Sequence, residues 1–577
     1  MNCRTSLFGM RVVFTLLLLL LVGACVSLTD ILAEQFFLPK DARPATHDVR
    51  TRSAAMQTSD GVTLIADIHA PVGLEKTPTI LVRIPFNDEF WNRLRSDSIG
   101  RYWAKRGYTV VVQGTRGRYR SGGEFYPAVN EARDGRETLA WLKAQPWFDG
   151  RLAMWGGSGF GHTQWAVSDL GKESPDVLAI QIVSTSYYST FHPGGAFALE
   201  SALYWGLISP PERDRETSGE EIQKGANGWP VIKADDRALQ DVSFFNDWST
   251  HRSNDAYWQS IDGLDRAKKV SAPVLLLGGW YDPFLPSMLK DFKTLTTENP
   301  NPLARQSRII IGPYVHAGEI EWPGASLDEP YRTASIAPVL NWFDHWLGVS
   351  QTALPGSPVR IFVMGDNVWR NENEWPLART QYTPYFLHAE GMLDSAGPPA
   401  AEVSAAWVYN PHNPVPTRGG AMLGPRSGIF EQPAPLARPD VITFTTRQLD
   451  KPLEVTGPIS TVLHVSTDAP STDFTVKLLD VHPDGKAYNI SDGIVRRHYT
   501  PGAPEEIEVV LNPTSVVFQA GHRVRIDVSS SNFPRFDRNP NTGEEPATAT
   551  THRPARQVLH SSQQKPSRIV LPVIPRG

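Results

Sequence analysis

Cysteine is nearly absent from this chain: Cys3 and Cys25 are the only two in 577 residues. Both lie in the N-terminal segment, so a chain cleaved there keeps at most one and can form no internal disulfide. Cysteine nucleophiles and cysteine-ligated zinc are excluded on the same count. The sequence also lacks a basic excess; its net charge of −5 leaves no electrostatic footprint for nucleic acid. It shows no internal repeat, no cofactor motif and no metal-ligand cluster at recognisable spacing. His482-Pro483-Asp484-Gly485 reads as a turn. No pair of acidic residues stands out as glycosidase chemistry would require.

One apolar run breaks the pattern. Arg4 and Arg11 precede Val12–Val22, which contains six consecutive leucines, and Gly23-Ala24 follow. Basic start, apolar core and small residues are the parts of a secretory leader, and the run is short for a membrane span. Val22-Gly23-Ala24-Cys25 also resembles a bacterial lipobox, in which Cys25 becomes a lipidated first residue attached to the membrane. Ordinary cleavage nearby and an uncleaved anchor are the alternatives. Residues 1–25 are therefore read as leader, and the protein as exported: in a bacterium, periplasmic or anchored to the membrane as a lipoprotein.

What remains is ordinary globular composition, too long for a single core. Proline is the exception, with 48 residues, about 8 % against an average near 5 %. Many lie in the C-terminal half, as an all-β domain rich in turns requires. Strand signals at Thr63–Ala70, Thr79–Ile84, Thr109–Gln113, Leu152–Trp155 and Val177–Val183 surround an amphipathic helix over Ala132–Gln145. That helix is read with Leu139, Trp141 and Leu142 inward and Asp134, Arg136 and Glu137 exposed. Alternating strands and helices predict a doubly wound α/β sheet.

Within that frame, Met154-Trp155-Gly156-Gly157-Ser158-Gly159-Phe160-Gly161 has the form of a nucleophile elbow, a sharp strand-to-helix turn that lifts a serine hydroxyl over a sheet. Two later strands end in loops that carry the remaining parts of a triad. Val274–Leu277 runs into Gly278-Gly279-Trp280-Tyr281-Asp282, and Arg308–Ile311 into Gly312-Pro313-Tyr314-Val315-His316. Taken singly, these are a turn serine, a turn-capping aspartate and a loop histidine. In the order Ser158, Asp282, His316, each at a strand end, they predict nucleophile, orienting acid and general base.

Gly-x-Ser-x-x-Gly, Gly-Trp-Tyr-Asp and Gly-Pro-Tyr-x-His together resemble the cocaine esterase and X-prolyl dipeptidyl aminopeptidase group of serine hydrolases, which includes acylases and α-amino acid ester hydrolases. Asp60–Pro71, Val111–Gly117 with Ser121–Glu124, Trp342–Trp346, Gly521-His522-Arg523 and Asn532–Arg535 extend the resemblance over nearly the whole chain after the leader. It implies an α/β-hydrolase domain in two parts, 46–186 and 266–350. A helical cap, 187–265, would interrupt it, and an all-β jelly roll, assigned to 356–577 and opening with Val359–Met364, would follow. It also implies an oxyanion hole made by the amide of Gly159 and a tyrosine hydroxyl. Here Phe86 replaces that tyrosine in Ile84-Pro85-Phe86-Asn87, so Phe86 and Asn87 mark a segment whose donor is unassigned. Gly114 stands where the family has aspartate, which leaves Arg116 to find another partner.

The function expected is hydrolysis of a small carboxylic ester or amide through an acyl-enzyme, with esterase favoured. X-prolyl dipeptidyl peptidase or acylase activity is the alternative. A catalytically weak binding or scaffolding protein on the same fold is the rival of another class. Substrate identity and oligomeric state are not legible.

Overall fold

The computed structural model describes residues 43–87, 90–209, 217–323, 329–350, 354, 356–435 and 437–576. The leader and Cys25 lie outside the described residues. The chain divides into two compact units: one comprises residues up to Phe125, Glu137–Trp155 and Arg332–Leu354, the other Tyr126–Arg136, Gly156–Tyr331 and Pro355–Gly577.

In the first unit, Val49–Gln57 and Thr63–Pro71 form an antiparallel hairpin, and Thr63–Pro71 pairs antiparallel with Thr109–Gly114. Thr77–Ile84 runs parallel both to Thr109–Gly114 and to the strand that begins at Phe148. Every residue of Thr77–Ile84 and Thr109–Gly114 is buried, which is why their centres, Ile80–Val82 and Val110–Val112, are unbroken apolar triplets rather than alternating. The helix Glu131–Lys143, whose first six residues belong to the second unit, buries Leu139 and Leu142 as its period requires, but Asp134 is buried too, at 1 % exposure. Asp134 sits in the first turn, where a carboxylate meets the positive end of the helix, and pairs with Arg133 at 3.3 Å. Arg116 finds its partner in Asp60 at 3.0 Å, so it acts as a brace at the edge of the opening hairpin.

In the second unit, Val177–Gln181, Val274–Gly279, Arg308–Gly312 and Val359–Val363 lie side by side and parallel, with Val368–Glu372 antiparallel at the edge. The placement of Val359–Val363 corrects the sequence reading, which gives this strand to the C-terminal sandwich. It pairs instead with Arg308–Gly312, because a short apolar strand is the same string of residues in either sheet and only long-range pairing decides. Between Tyr187 and Lys269 the described elements are helices, in short pieces from Tyr187–Phe191 to Arg266–Lys269. Phe191, Phe245, Trp248 and Trp258 are fully buried there.

From Gln381 onward the described elements are almost entirely strands, arranged as a seven-stranded and a five-stranded sheet with antiparallel pairing. Leu453–Thr467 and Glu505–Phe518 pair along their lengths and form its longest ladder. The architecture is an α/β-hydrolase with a mixed sheet, followed by an all-β domain.

Candidate active site

The strand Phe148–Gly157 ends in the elbow, and the helix Gly159–Trp165 begins immediately after Ser158. Ser158 has φ 54° and ψ −127°, a conformation that costs a non-glycine residue of order 1–3 kcal/mol. A serine at a helix N-cap ordinarily turns its hydroxyl to the amides of the first turn, worth about 1 kcal/mol. Ser158 makes no such bond. Its hydroxyl is directed elsewhere: Oγ lies 2.9 Å from His316 Nε2.

Two backbone features hold the elbow. Ser158 N–H donates to the carbonyl of Gln181 at 2.9 Å, so this amide is not available to a substrate. The buried Gln164 side-chain amide donates to the carbonyls of Gly156 and Ala179 at 3.1 and 3.0 Å, tying the turn to the neighbouring strand. Gly161 permits the close approach, since a Cβ there would lie 2.5 Å from Val183 Cγ1. The N–H of Gly159, first residue of the helix, has no intrahelical acceptor and stands at the positive end of the helix.

Asp282 and His316 come from neighbouring parallel strands whose loops are stitched together. Trp280 N–H donates to Gly312 O at 3.1 Å and Tyr281 N–H to Tyr314 O at 3.0 Å. Gly279 is required at this crossing, because a Cβ would lie 2.3 Å from the carbonyl oxygen of Tyr314. His316 and Ala317 form the two-residue tip of a small hairpin between Tyr314–Val315 and Gly318–Glu319, with Ala317 at φ 64°. The imidazole stands at that tip with Nδ1 3.2 Å from Asp282 Oδ2. The other carboxylate oxygen accepts from Phe284 N–H at 2.8 Å. Asp282 is 1 % and His316 14 % exposed in their side chains, so the carboxylate is sealed and the imidazole partly reachable.

The wall beside the imidazole is aromatic. The Phe284 ring lies 5.8 Å from His316, and Tyr187 lies 5.8 Å from Phe284 and 6.3 Å from Trp248. Among the aromatics between Tyr187 and Trp258, Tyr187 is the one joined through Phe284 to the histidine. Sequence reading had no means of singling it out, nor of finding the Gln181 carbonyl or Gln164, whose roles depend on which strand lies next to the elbow.

Ser158, Gly159, Asp282 and His316 are thus assembled within the second unit. Phe86 and Asn87 belong to the first, immediately beyond the strand Thr77–Ile84, and Asn87 Oδ1 accepts from Arg118 Nη1 at 2.8 Å. That bond orients the Asn87 side chain toward Arg118.

Two buried carboxylates position the segment that leads from the sheet to Tyr187. Asp291 accepts from Thr185 N–H and Oγ at 2.8 and 2.7 Å, and Asp262 accepts from the amides of Tyr187 and Tyr188. Burial pushes Asp291 up to about 7 and Asp262 up to about 6, against the hydrogen bonds that favour their charged forms. A carboxyl raised in the folded state binds its proton there when the unfolded chain has lost it. Its contribution to stability is therefore complete below pH 4 and falls as pH rises toward 7. Between pH 5 and 7 the Asp291 share amounts to about 2 kcal/mol, at up to 1.4 kcal/mol per pH unit and less as pH nears the raised value. Asp291→Asn removes this share, so thermal melts at pH 5 and pH 8 should differ less in the variant than in the wild type. An unchanged difference would show that Asp291 titrates normally.

The catalytic half of the chain matches the family model described as X-Pro dipeptidyl-peptidase (S15 family) over residues 60–318. Residues 355–570 match the X-Pro dipeptidyl-peptidase C-terminal non-catalytic domain. Cocaine esterase of Rhodococcus sp. (strain MB1 Bresler) is 33 % identical over 574 residues, covering 90 % of this chain and 97 % of that protein. Among solved structures, an aminopeptidase from a marine sediment archaeon (Thaumarchaeota archaeon) superposes with TM-score 0.78 at 23 % identity, over 93 % of this chain and 99 % of its own. An α-amino acid ester hydrolase superposes with TM-score 0.76 at 24 % identity, over 93 % and 98 %. The two structures share the fold; the esterase shares sequence throughout.

Proposed function

The chain belongs to the cocaine esterase and X-Pro dipeptidyl-peptidase family of α/β-hydrolase serine hydrolases, and on that premise we propose that it cleaves carboxylic esters through an acyl-enzyme on Ser158. The observation that carries this reading is the chain of contacts Ser158 Oγ to His316 Nε2 to Asp282, at 2.9 and 3.2 Å. Ser158 Oγ attacks the ester carbonyl while His316 Nε2 takes its proton. Gly159 N–H receives the oxyanion, and collapse of the tetrahedral intermediate expels the alcohol, which leaves with the proton from His316. Water then attacks the acyl-enzyme with His316 again as base, releasing the acid and restoring Ser158.

Ester is preferred to peptide for two reasons. The relative at 33 % identity is an esterase, and the ring neighbouring His316, at 5.8 Å, is that of the buried Phe284, an apolar side chain that offers no charge to a substrate ammonium. The peptidase reading has its own support in the description of the matching domain models. A side-by-side assay separates them: kcat/KM for a short-chain nitrophenyl ester should exceed that for an alanyl-prolyl nitroanilide by 100-fold or more. A higher value on the anilide would transfer the assignment to dipeptidyl peptidase. Export belongs to the same proposal, supported by the Arg4–Cys25 leader. Esterase activity in the membrane fraction, shifted to the soluble fraction by Cys25→Ser, is the expected signature of the lipidated form.

A further inference from the structure

Asp480 and His482 lie at the end of the strand Ser471–Val481, and His522 immediately precedes the strand Arg523–Ser529. The two strands are antiparallel, with Asp480 opposite Val524 and Val481 opposite Arg523. One further step in that register sets His482 opposite His522. Residues two apart on a strand share a face, so Asp480 stands on the same face as His482 and diagonal to His522. The placement is carried by ladder and turn backbone on both sides: His482 N–H donates to Lys486 O, and His522 O accepts from Leu449 N–H, both at 2.8 Å.

The three side chains converge. His522 Nδ1 lies 2.8 and 3.0 Å from the two oxygens of Asp480, His482 Nε2 lies 3.5 Å from Asp480 Oδ2, and the imidazole centroids are 4.4 Å apart. One donor atom from each residue lies within 4.8 Å of the other two. Asp480 is 3 % exposed, and among the described residues its ion partners are these two histidines, with no lysine or arginine paired to it. A carboxylate taken this far out of water requires a positive charge close by.

We propose that Asp480, His482 and His522 form a structural binding site for a divalent transition metal of the zinc class. Two imidazole nitrogens and one carboxylate oxygen are a donor set for zinc, cobalt or nickel rather than for calcium or magnesium, which take oxygen. Donors around one zinc ion stand about 3.3 Å apart at the usual bond lengths, so the cluster needs only a small rearrangement to close on an ion. His482 and His522 are 25 % and 14 % exposed, which gives the ion a route in and leaves a position for water. The ion would replace the histidine ring protons as the positive partner of Asp480 and clamp the His482–Lys486 turn to the neighbouring strand. It would take no part in ester cleavage, since the triad is complete without it.

Titration of the chelator-treated full chain with zinc chloride, by calorimetry and thermal melting, tests the site. Wild type should bind one zinc per chain and melt on the order of 3 °C higher when saturated. His482→Ala should lower affinity by 10–100-fold and abolish the shift, while leaving ester hydrolysis unchanged. His482→Gln, which keeps the side-chain volume, gives the same reading should the alanine variant fold poorly. Cobalt in place of zinc should give a visible absorption band that both variants lose. No zinc binding by the wild type would overturn the proposal, as would binding of unchanged affinity in the His482 variants.

Discussion

Ser158→Ala should lower kcat for ester hydrolysis by about 10⁵–10⁶-fold, the loss found when a serine nucleophile is removed from a triad enzyme. Labelling by a fluorophosphonate probe should vanish with it. The change isolates chemistry from folding for a structural reason. Ser158 makes no capping bond to its helix, and Ala meets the same positive φ, so the variant forfeits only the hydroxyl contact with His316, about 1 kcal/mol. Its melting temperature should stay within a few degrees of wild type. A labelled Ser158→Ala protein, or one that keeps a tenth of its activity, would place the nucleophile elsewhere and return the weak-binding reading to contention.

Asp282→Asn should cost about 10⁴-fold in kcat with the fold intact, by a route the hydrogen bonds define. Asp282 Oδ1 accepts from Phe284 N–H and Oδ2 faces His316 Nδ1. An asparagine that keeps its carbonyl on Phe284 must turn its NH₂ toward Nδ1. Nδ1 then becomes the acceptor and the ring proton moves to Nε2, which can no longer take the proton of Ser158. The neutral amide is easier to bury than the carboxylate, so stability should not fall. A loss of less than 10-fold would mean that Asp282 does not set the tautomer. The Ser158 and Asp282 results can also disagree: loss with Ser158 alone would leave the nucleophile assigned and its acid open.

The aligned segment Ile84-Pro85-Phe86-Asn87 illustrates where reading by resemblance stops. Replacement of tyrosine by Phe86 removes a hydroxyl, which the sequence shows directly. The binding of Asn87 Oδ1 by Arg118 depends on a loop about thirty residues away and could not be foreseen. Arg116 is a parallel case: the missing aspartate is legible as Gly114, but its replacement by Asp60 is not. Val359–Val363 reads correctly as a strand and incorrectly as part of the sandwich.

The sequence by itself determined the features that depend on neighbouring residues. Glycines around Ser158 mark a turn where side chains would clash, apolar runs ending in Gly or Pro mark buried strands, and the order Ser158, Asp282, His316 follows from reading the strand ends in turn. Tertiary structure alone decided what each of those ends meets. It set Gln164 and the Gln181 carbonyl against the elbow, crossed the Asp282 and His316 loops at Gly279, and laid Phe284 and Tyr187 beside the histidine. It also brought His522 onto Asp480 and His482 across some forty residues of chain. The division has a single physical cause. Backbone sterics and side-chain periodicity act over a few residues and leave their mark in the local string. Strand pairing closes loops of tens to hundreds of residues, and the partners it selects are fixed by packing across the whole fold.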